Sequence, residues 1–504
     1  MFSSRNALRA GLKIAVPTIV IVMLLMSMMT TSSFAARPPT PTPSPIPEGG
    51  ACTSTADCLS RMTLDEKIGQ MTQANKNALT TPSDITTYAL GSLLSGGGEG
   101  PNGSGGTATE WANMYDNFQG YALQSRLKIP LIYGVDAVHG HNNVYGAVIF
   151  PHHIGMGATR DTALVQQADQ VTRDEVLGTG IDWVFAPCVC VPRDDRWGRT
   201  YEGYSEDPAL VSSMGVASIK GFQGTGLGPS TVMATAKHYI GDGGTLYGTG
   251  DSGYLIDQGD AQISETVLRA IHLPPYQSAV QNGVGSVMIS YSSWNGLKDH
   301  GNQYLITTVL KGELGFQGIV ISDWAGIDQL PGDYASDVRT AINAGIDMVM
   351  VPSNYKTFIS TLRTEVTAGR IPMSRIDDAV TRILNAKFAL GLFSQPLTNR
   401  AYTAQVGSSA HRAVARQAVR ESLVLLKNNG VLPLSKTGTY KLVVGGSHID
   451  NLGNQMGGWS ISWQGASGNT TVGTTFLQAI RAAVGPCIIG AGRREHEETT
   501  GIPP

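Results

Sequence analysis

The chain is poor in charged and aromatic side chains and in cysteine. Charged residues make up 15% and aromatic residues 7% of its 504 positions, and it has five cysteines, whereas 41% of the residues are hydrophobic. A chain of this length and composition can bury a large core. The sequence therefore predicts a globular protein with more than one domain.

Two further absences narrow the choice of partners and cofactors. The formal net charge is only −3, and no basic cluster indicates nucleic acid or anionic lipid as a partner. No G-x-G-x-x-G motif follows a predicted strand, and the cysteine and histidine spacing of zinc sites is missing. The sequence predicts neither a cofactor nor a metal, and it leaves the oligomeric state open.

The first fifty residues have the pattern of an export signal and a tether. Arg5, Arg9 and Lys13 precede an apolar stretch at 14–29, and Ser33-Phe-Ala-Ala36 has the small residues of a cleavage site. We expect a signal peptide at 1–36, an unpacked linker rich in proline, threonine and serine at 37–50, and a secreted or periplasmic protein. An uncleaved leader that anchors the chain in a membrane is the alternative, although the apolar stretch is short for a spanning helix.

The cysteines allow one disulfide in an exported protein. A bond between Cys52 and Cys58 would close a small loop at the start of the folded part, and a disulfide and free thiols are about equally expected there. Cys188 and Cys190 are one residue apart on a predicted strand, where ring closure is strained, so buried free thiols are favoured. Cys487 is left over.

Strand-like apolar runs alternate with helical patterns over most of the chain. Six such runs lie at 129–138, 182–188, 232–239, 286–291, 319–323 and 346–351, with helical patterns such as 264–282 and 374–390 between them. This alternation predicts an α/β fold, a closed (β/α)₈ TIM-like barrel at 51–398, with a doubly wound sheet as the alternative. After a linker at 399–410, a second α/β sandwich domain is expected at 411–504, and it looks incomplete.

Polar side chains end several of the predicted strands. Asp323 follows the apolar run Ile319-Val-Ile321, and other charged or polar residues end neighbouring runs, as in the active sites of barrel enzymes. A strand-end aspartate alone can also be a helix cap or part of a structural ion pair, but nearby cationic groups are what a nucleophilic carboxylate needs. These further strand-end residues are Asp136, His139, Lys237, His238 and Tyr291.

Two other functions are compatible with these residues. His139 and His141 form an H-x-H motif at a strand end, which could hold the metal of a metal-dependent hydrolase. Asn142 and Asn143, beside that motif, could bind hydroxyl groups or fix the loop. A non-catalytic carbohydrate-binding protein is the second alternative, because Trp324 beside a carboxylate suits sugar recognition whether or not a reaction follows.

The chain resembles glycoside hydrolase family 3, in particular its exo-acting β-glucan glucohydrolases and β-glucosidases. Long motifs carry the resemblance in order along the chain, and together they cover about 51–484. They are GVDAVHGHNNVYG at 134–146, FP at 150–151, RWGR at 196–199, AKH at 236–238 with GDGG at 241–244, MISYSSWN at 288–295, ISDW at 321–324, VLLKNNGVLP at 424–433 and GGWSISWQG at 457–465.

The resemblance implies a retaining exo-hydrolase that releases glucose from the non-reducing end of β-glucosides or β-glucans. It implies that Asp323 is the nucleophile, that Tyr291 lies close to it, and that Trp324 and Trp463 clamp the next sugar. Four further residues are implied to hold the hydroxyls of the terminal glucose: Asp136, Arg199, Lys237 and His238. Asp251 lies where plant members place one more sugar-binding acid, although the local sequence differs.

The resemblance also implies a second catalytic carboxyl, a glutamate of the sandwich domain beyond the clamp tryptophan. After Val484 we find no counterpart of the expected strand, helix and acid-bearing loop, and Glu495, Glu497 and Glu498 lie in a charged run without periodicity. The sequence therefore predicts a truncated second domain without an identified acid/base. Because activated aryl glucosides need little protonation of the leaving group, we expect them to be hydrolysed better than disaccharides.

Overall fold

A computed structural model describes residues 49–436, 442–484 and 489–491. These residues belong to one compact unit, Pro47–Pro504. The predicted signal peptide, nearly all of the predicted linker at 37–50, Cys487 and the three glutamates of the C-terminal run lie outside the described residues. The predicted domain limits at 398 and 411 stay predictions.

Eight parallel strands close into a barrel. They are β1 (Thr72–Asn75), β2 (Ser92–Ser95), β3 (Ile132–Val135), β4 (Trp183–Val184), β5 (Thr235–Tyr239), β6 (Ser286–Ile289), β7 (Ile319–Ile321) and β8 (Val349–Val351). Ladders join β8 to β1, β1 to β2, β2 to β3, β3 to β4, β5 to β6 and β6 to β7. Single bridges from Trp183 to Met233 and from Ile321 to Met348 complete the ring. The fold is the predicted TIM-like barrel, and the doubly wound alternative is wrong.

Helices alternate with these strands and cover the barrel. Thr63 caps the second helix through a capping box with Glu66, and Thr107 caps the next long helix in the same way with Glu110. The α-helices span Thr55–Arg61, Leu64–Gln70, Asp84–Thr87, Ala108–Ala122, His153–Thr159, Thr162–Leu177, Pro208–Gln223, Glu265–Val267, Leu273–Gln281, Tyr334–Ala344, Tyr355–Thr367, Met373–Ala389, Arg400–Thr403, Ser409–Ser422, Leu452–Met456 and Phe476–Val484.

Shorter elements fill the connections. Two segments are π-helical, Leu268–His272 and Tyr304–Glu313, and the first of them interrupts the helix expected at 264–282. Further turns of 3₁₀ helix span Lys76–Ala78, Thr200–Glu202, Asp242–Gly244, Asp299–Gly301 and Gly326–Gln329, and short strands span Asp260–Ala261, Ser293–Trp294 and Leu297–Lys298. Several of these elements follow barrel strands, so they help to build the rim at the carboxyl ends of the strands.

Two helices near the end of the barrel and after it have clear limits. The helix predicted at 374–390 spans Met373–Ala389, with Pro372 in the cap position. A later helix spans Ser409–Ser422 and ends there, because Leu423 already has an extended backbone. Leu423 to Leu426 are instead exposed.

The C-terminal part contains more regular structure than the sequence indicated. Strand Leu442–Val444 pairs in parallel with strand Ile489–Ala491, so the expectation of no strand after Val484 is wrong. Cys52 and Cys58 form a disulfide, while Cys188 and Cys190 are buried free thiols, as predicted. In the described ranges, no helix combines the length and the apolar character needed to cross a membrane.

Candidate active site

A pocket of about 340 Å³ opens at the carboxyl ends of the barrel strands. Eight of the residues that the sequence and the family resemblance indicated as catalytic or substrate-binding line it, and the last of them comes from the C-terminal part of the chain. They are Asp136, Arg199, Lys237, His238, Tyr291, Asp323, Trp324 and Trp463. The structure therefore brings together residues that are more than three hundred positions apart in sequence.

The barrel strands fix most of these side chains. Asp136 follows β3, Lys237 and His238 lie in β5, Tyr291 follows β6, and Asp323 follows β7. Because the strands are parallel, their carboxyl ends meet at one rim and the side chains converge there. Arg199 comes from the long connection after β4 and reaches the same pocket.

Asp323 lines the pocket, and one of its carboxylate oxygens has no hydrogen-bond partner. Its Oδ1 accepts a 2.7 Å hydrogen bond from the backbone N–H of Trp324, and its own N–H donates to His300 Nε2 at 3.0 Å. Its buried Oδ2 has no hydrogen-bond partner and lies 3.7 Å from His238 Nε2. A buried, unpartnered carboxylate oxygen is costly, so it is a natural candidate for a group that acts on a ligand.

Opposing effects set the pKa of Asp323. Burial raises the pKa to about 6, although the positive charges of Arg199 and Lys237 and the Trp324 N–H favour the carboxylate. The carboxyl group is therefore ionised at neutral pH and becomes protonated in mild acid. A carboxylate that is ionised and only weakly solvated can act as a nucleophile.

Arg199 lies between two partners in the pocket wall. Its Nε and Nη2 donate to the two carboxylate oxygens of Glu202 at 2.8 and 2.9 Å, and Nη2 also lies 3.1 Å from His238 Nε2. Burial opposes the ionisation of Glu202, but the Arg199 charge lowers its pKa to about 2. This bidentate pair holds the guanidinium in a fixed plane.

The buried Lys237 forms an ion pair with the partly buried Asp136, beside Asp323. Lys237 Nζ donates to Asp136 Oδ1 at 2.7 Å, and the lysine side chain is only 2% exposed. Burial alone would lower the pKa of Lys237, but the neighbouring carboxylates of Asp136 and Glu202 raise it, so the amine stays charged. The pair offers a cation and an anion to hydroxyl groups in the pocket.

His238 is a neutral imidazole. Its Nδ1 lies 2.9 Å from Asp242 Oδ2, and burial together with the charges of Arg199 and Lys237 lowers its pKa well below the usual value. Since Arg199 can only donate, His238 Nε2 accepts from it and Nδ1 carries the proton toward Asp242.

Barrel residues hold the loop at 457–463 that carries Trp459 and Trp463. The rings of His139 and His152 lie 2.7 Å from the carbonyl oxygen of Trp459 and 2.9 Å from that of Gly458, respectively. The backbone N–H of Ile461 donates to Asn142 O at 2.8 Å. The C-terminal part thus contributes two indoles to a pocket otherwise built by the barrel.

The two histidines of the H-x-H motif make hydrogen bonds within the protein. His139 bonds to two backbone carbonyls, and His141 Nε2 lies 2.8 Å from Thr179 Oγ1. Asn142 and Asn143 donate to Asp136 O at 2.9 and 3.2 Å, so they fix the loop. Across the described ranges, these residues form no group with the spacing of metal ligands. Within the described residues, the H-x-H motif therefore does not form the metal site that the metal-dependent alternative assigned to it.

The sequence patterns did not identify several residues that line the pocket. Glu99 lies in a glycine-rich loop and accepts from Asn75 Nδ2 at 2.9 Å and from Gly96 N at 3.0 Å. Asp257, in a long irregular loop, accepts from Trp197 Nε1 at 2.7 Å. A carboxylate just after β2 could have pointed to Glu99, but no pattern marks Asp257 or its neighbour Gln258.

Asp251, which the family resemblance suggested as a further sugar ligand, lies elsewhere. Its carboxylate accepts from Lys298 Nζ at 3.0 Å and from Ser252 N at 2.6 Å, and its side chain is half exposed. It is not among the pocket-lining residues, whereas Asp257 and Gln258 of the same loop are. The structure thus favours Asp257 as the acid that this loop contributes.

The chain matches one family model over most of the barrel. The model of the glycosyl hydrolase family 3 N-terminal domain matches residues 63–386. A solved structure, the exo-1,3/1,4-beta-glucanase from a Pseudoalteromonas species, is similar with a TM-score of 0.82 and 41% sequence identity, and the match covers 89% of this chain and 57% of that one.

Curated relatives match over a similar part of the chain. A lysosomal beta glucosidase of Dictyostelium discoideum is 37% identical over 456 residues, which are 84% of this chain and 55% of the relative. A periplasmic beta-glucosidase of Salmonella typhimurium is 34% identical over 446 residues, which are 85% of this chain and 54% of the relative. The chain spans about half the length of the curated relatives it matches.

Proposed function

The chain belongs to glycosyl hydrolase family 3, and from this membership we propose that it is a retaining, exo-acting β-glucosidase that releases glucose from the non-reducing end of β-glucosides or β-glucans. The observation that carries the proposal is that Asp323, whose Oδ2 has no hydrogen-bond partner, lines a pocket together with charged and polar groups suited to binding hydroxyls. The names of the relatives, beta-glucosidases and an exo-beta-glucanase, support the substrate class.

Asp323 is the proposed nucleophile. Its Oδ2 forms an ester bond with the anomeric carbon of the terminal glucose while the bond from that carbon to the leaving oxygen breaks. Water then attacks the same carbon, loses one proton to solvent and releases Asp323 as a carboxylate. The Trp324 N–H and the charges of Arg199 and Lys237 stabilise that carboxylate as a leaving group.

The remaining polar groups of the pocket are proposed to bind the glucose hydroxyls. Asp136 accepts hydrogen bonds from hydroxyl groups, while Lys237 and Arg199 donate them. His238, held by Asp242 on one side, contributes its pocket-facing edge. Tyr291 donates its hydroxyl to the carbonyl of Trp324 and so supports the turn that carries Asp323.

Trp324 and Trp463 are proposed to clamp the second sugar. Their side chains are 38% and 46% exposed, which is unusual for indoles and leaves ring faces available for stacking. Gly96 and Gly97 lie against them: a Cβ on Gly96 would lie 3.1 Å from the Trp324 ring, and one on Gly97 would lie 2.8 Å from Trp463 Cβ. The absence of side chains there keeps the space between the indoles open.

A retaining mechanism needs a second carboxyl group about 5 to 5.5 Å from the first, to protonate the leaving oxygen. Besides Asp323, three acids line the described pocket, and each is already bonded: Asp136 to Lys237, Asp257 to Trp197, and Glu99 to Asn75 and Gly96. We therefore propose that this chain acts best on glucosides whose leaving groups need little protonation.

The stereochemistry of the first product tests the proposed function. We expect proton NMR of the full chain with an activated aryl β-glucoside to detect β-glucose first, with α-glucose appearing later by mutarotation. The matched aryl α-glucoside should remain intact. If α-glucose appears first, the enzyme inverts. Tight glucoside binding with no turnover would instead support the alternative of a non-catalytic carbohydrate-binding protein.

The raised pKa of Asp323 predicts an acid limit to activity. Because the nucleophile must be ionised, kcat/KM should fall as the pH drops through a pKa of about 6. The measurement is kcat/KM for an activated aryl β-glucoside across the acid range. A profile that stays flat down to the usual pKa of an exposed aspartate, about 4, would contradict the burial-raised pKa.

We also propose that the chain is exported. The basic and apolar pattern of its first 36 residues supports this, and one relative is named as periplasmic. Mass spectrometry of the N-terminus after expression with export distinguishes cleavage near Ala36 from a retained anchor.

A further inference from the structure

Two thiols, an imidazole and a carboxylate meet behind the sugar pocket. Cys188 and Cys190 are 1% and 2% exposed, and their Sγ atoms lie 2.7 Å apart. The ligand atoms of Cys188, His238 and Asp242 all lie within 4.8 Å of one another. We call these four residues the thiol cluster. The catalytic role proposed for the pocket uses His238 but neither cysteine.

The barrel holds the thiol cluster in place. Cys188 forms a parallel bridge with Lys237 of β5, and the N–H of Val189 donates to Lys237 O at 2.9 Å. Cys188 therefore lies beside His238, the next residue of β5. Asp242 is in the tight turn after that strand, where its Oδ1 accepts from Gly243 N at 2.9 Å. A ligand would meet donors that are already assembled.

The donor atoms of the thiol cluster determine which metal ions it can bind. Thiolate sulfur and imidazole nitrogen bind soft and borderline metal ions, whereas Mg²⁺ and Ca²⁺ require a shell of oxygen atoms. The thiol cluster offers two sulfur atoms, one nitrogen and only one carboxylate. We propose that it binds a soft, thiophilic cation such as Cu(I) or Ag(I), and that the bound cation inhibits sugar binding.

Inhibition follows from the hydrogen bonds of His238. Nε2 accepts from Arg199 at 3.1 Å, and Nδ1 carries the proton toward Asp242 at 2.9 Å. A cation on Nδ1 replaces that proton, so the neutral ring then carries its proton on Nε2. Nε2–H and the guanidinium are both donors, and they cannot keep their contact. Each thiol that binds the cation as thiolate releases one proton to solvent.

The inhibitory effect rests on the proposed function, because it requires that Arg199 and His238 bind sugar, whereas cation binding itself does not. His238 is the one member of the thiol cluster among the residues described as lining the pocket, so a cation that enters from the pocket side would meet His238 first. A sugar in the pocket should slow its entry.

The test uses the full chain with Cys487→Ser, because Cys52 and Cys58 are bonded to each other and this change leaves Cys188 and Cys190 as its free thiols. Ag⁺ in chloride-free buffer is the probe. We expect equilibrium dialysis to find one Ag⁺ per chain, and Mg²⁺ at the same concentration not to bind. Calorimetry should find glucose affinity reduced about 10- to 100-fold by bound Ag⁺, as expected for loss of a hydrogen bond to a charged group.

In the same background, Cys188→Ala combined with Cys190→Ala should weaken Ag⁺ binding at least about 100-fold, since both sulfur ligands are gone. Circular dichroism and thermal melting check that this variant folds. If it does not fold, X-ray absorption of the Ag⁺-loaded Cys487→Ser chain decides: sulfur neighbours support the proposal, and a shell of oxygen and nitrogen alone overturns it.

Ag⁺ binding that survives the double replacement, or a glucose affinity that bound Ag⁺ leaves unchanged, would overturn the proposal. Absence of glucose binding before any Ag⁺ is added would count against the proposed function instead. The stoichiometry and the X-ray absorption spectrum would still report on the thiol cluster, so the two failures can be distinguished.

Discussion

Replacing Asp323 with asparagine is expected to lower kcat/KM for an activated aryl β-glucoside by about 10⁴- to 10⁶-fold, in the range found when a nucleophile is removed. Asparagine has nearly the same shape, but its amide cannot form the ester with the anomeric carbon. The backbone hydrogen bond from Trp324 can persist to the amide oxygen, so the pocket should keep its form. Glucose should therefore still bind, with an affinity within about tenfold of the parent.

Steady-state kinetics and glucose calorimetry on the same preparation separate catalysis from binding. The matched control is Asp328→Asn, which changes an exposed aspartate in the turn after Asp323 that is not among the pocket-lining residues. It should keep full activity. If Asp323→Asn retained more than a few per cent of the parent rate, another residue would have to be the nucleophile.

Replacing Lys237 with methionine is expected to destabilise the protein as well as to abolish glucose binding. Lys237 Nζ is the partner of Asp136 Oδ1, and the lysine is fully enclosed. Methionine fills much of the volume but leaves the Asp136 carboxylate without its cation. Breaking a fully buried ion pair from one side costs about 3 to 5 kcal/mol. Because the Asp136 side chain is 16% exposed, the free energy of unfolding should fall by up to that amount.

Urea unfolding monitored by tryptophan fluorescence measures this change. Arg363→Met is the control, because Arg363 and Asp65 form an ion pair whose side chains are 46% and 59% exposed. Exposed pairs contribute about 0 to 1 kcal/mol, so the control should be nearly neutral. Equal effects of the two substitutions would mean that the Lys237 pair is solvated and does not organise the pocket.

The pocket residue at the end of β7 could be predicted from sequence because its signal is local. Ile319, Val320 and Ile321 are β-branched and fully buried, and the acid that follows them stands out against that background. The other strand-end residues gave the same kind of signal. The rim of the barrel could therefore be outlined from the amino-acid sequence alone.

The first two strands could not be predicted in this way. Both β1, Thr72–Asn75, and β2, Ser92–Ser95, are rich in polar residues, so they lack an apolar run. Their polar side chains bond across neighbouring strands: Gln73 Nε2 of β1 donates to Ser92 Oγ of β2 at 2.8 Å, and Ser95 Oγ of β2 lies 2.8 Å from Tyr133 OH of β3. Such pairing depends on tertiary contacts that no single segment encodes.

The remaining pocket residues could not be predicted from sequence for a similar reason. Glu99 and Asp257 lie in irregular loops, and only the closure of the barrel brings them to the pocket. Trp463 was found only through the family resemblance. Its place in the pocket depends on the contacts of His139, His152 and Asn142 with the loop at 457–463, which connect distant parts of the chain.

The central claim is that Asp323 forms a covalent bond with glucose. The most direct measurement is intact-mass and peptide analysis after incubation of the full chain with an activated 2-deoxy-2-fluoro-β-glucoside, a substrate whose leaving group needs no acid and whose fluorine slows release of the intermediate. The account predicts one fluoroglucosyl group per chain, attached to Asp323 and missing from the Asp323→Asn variant. An adduct on another residue, or hydrolysis with no adduct at any time, would contradict it.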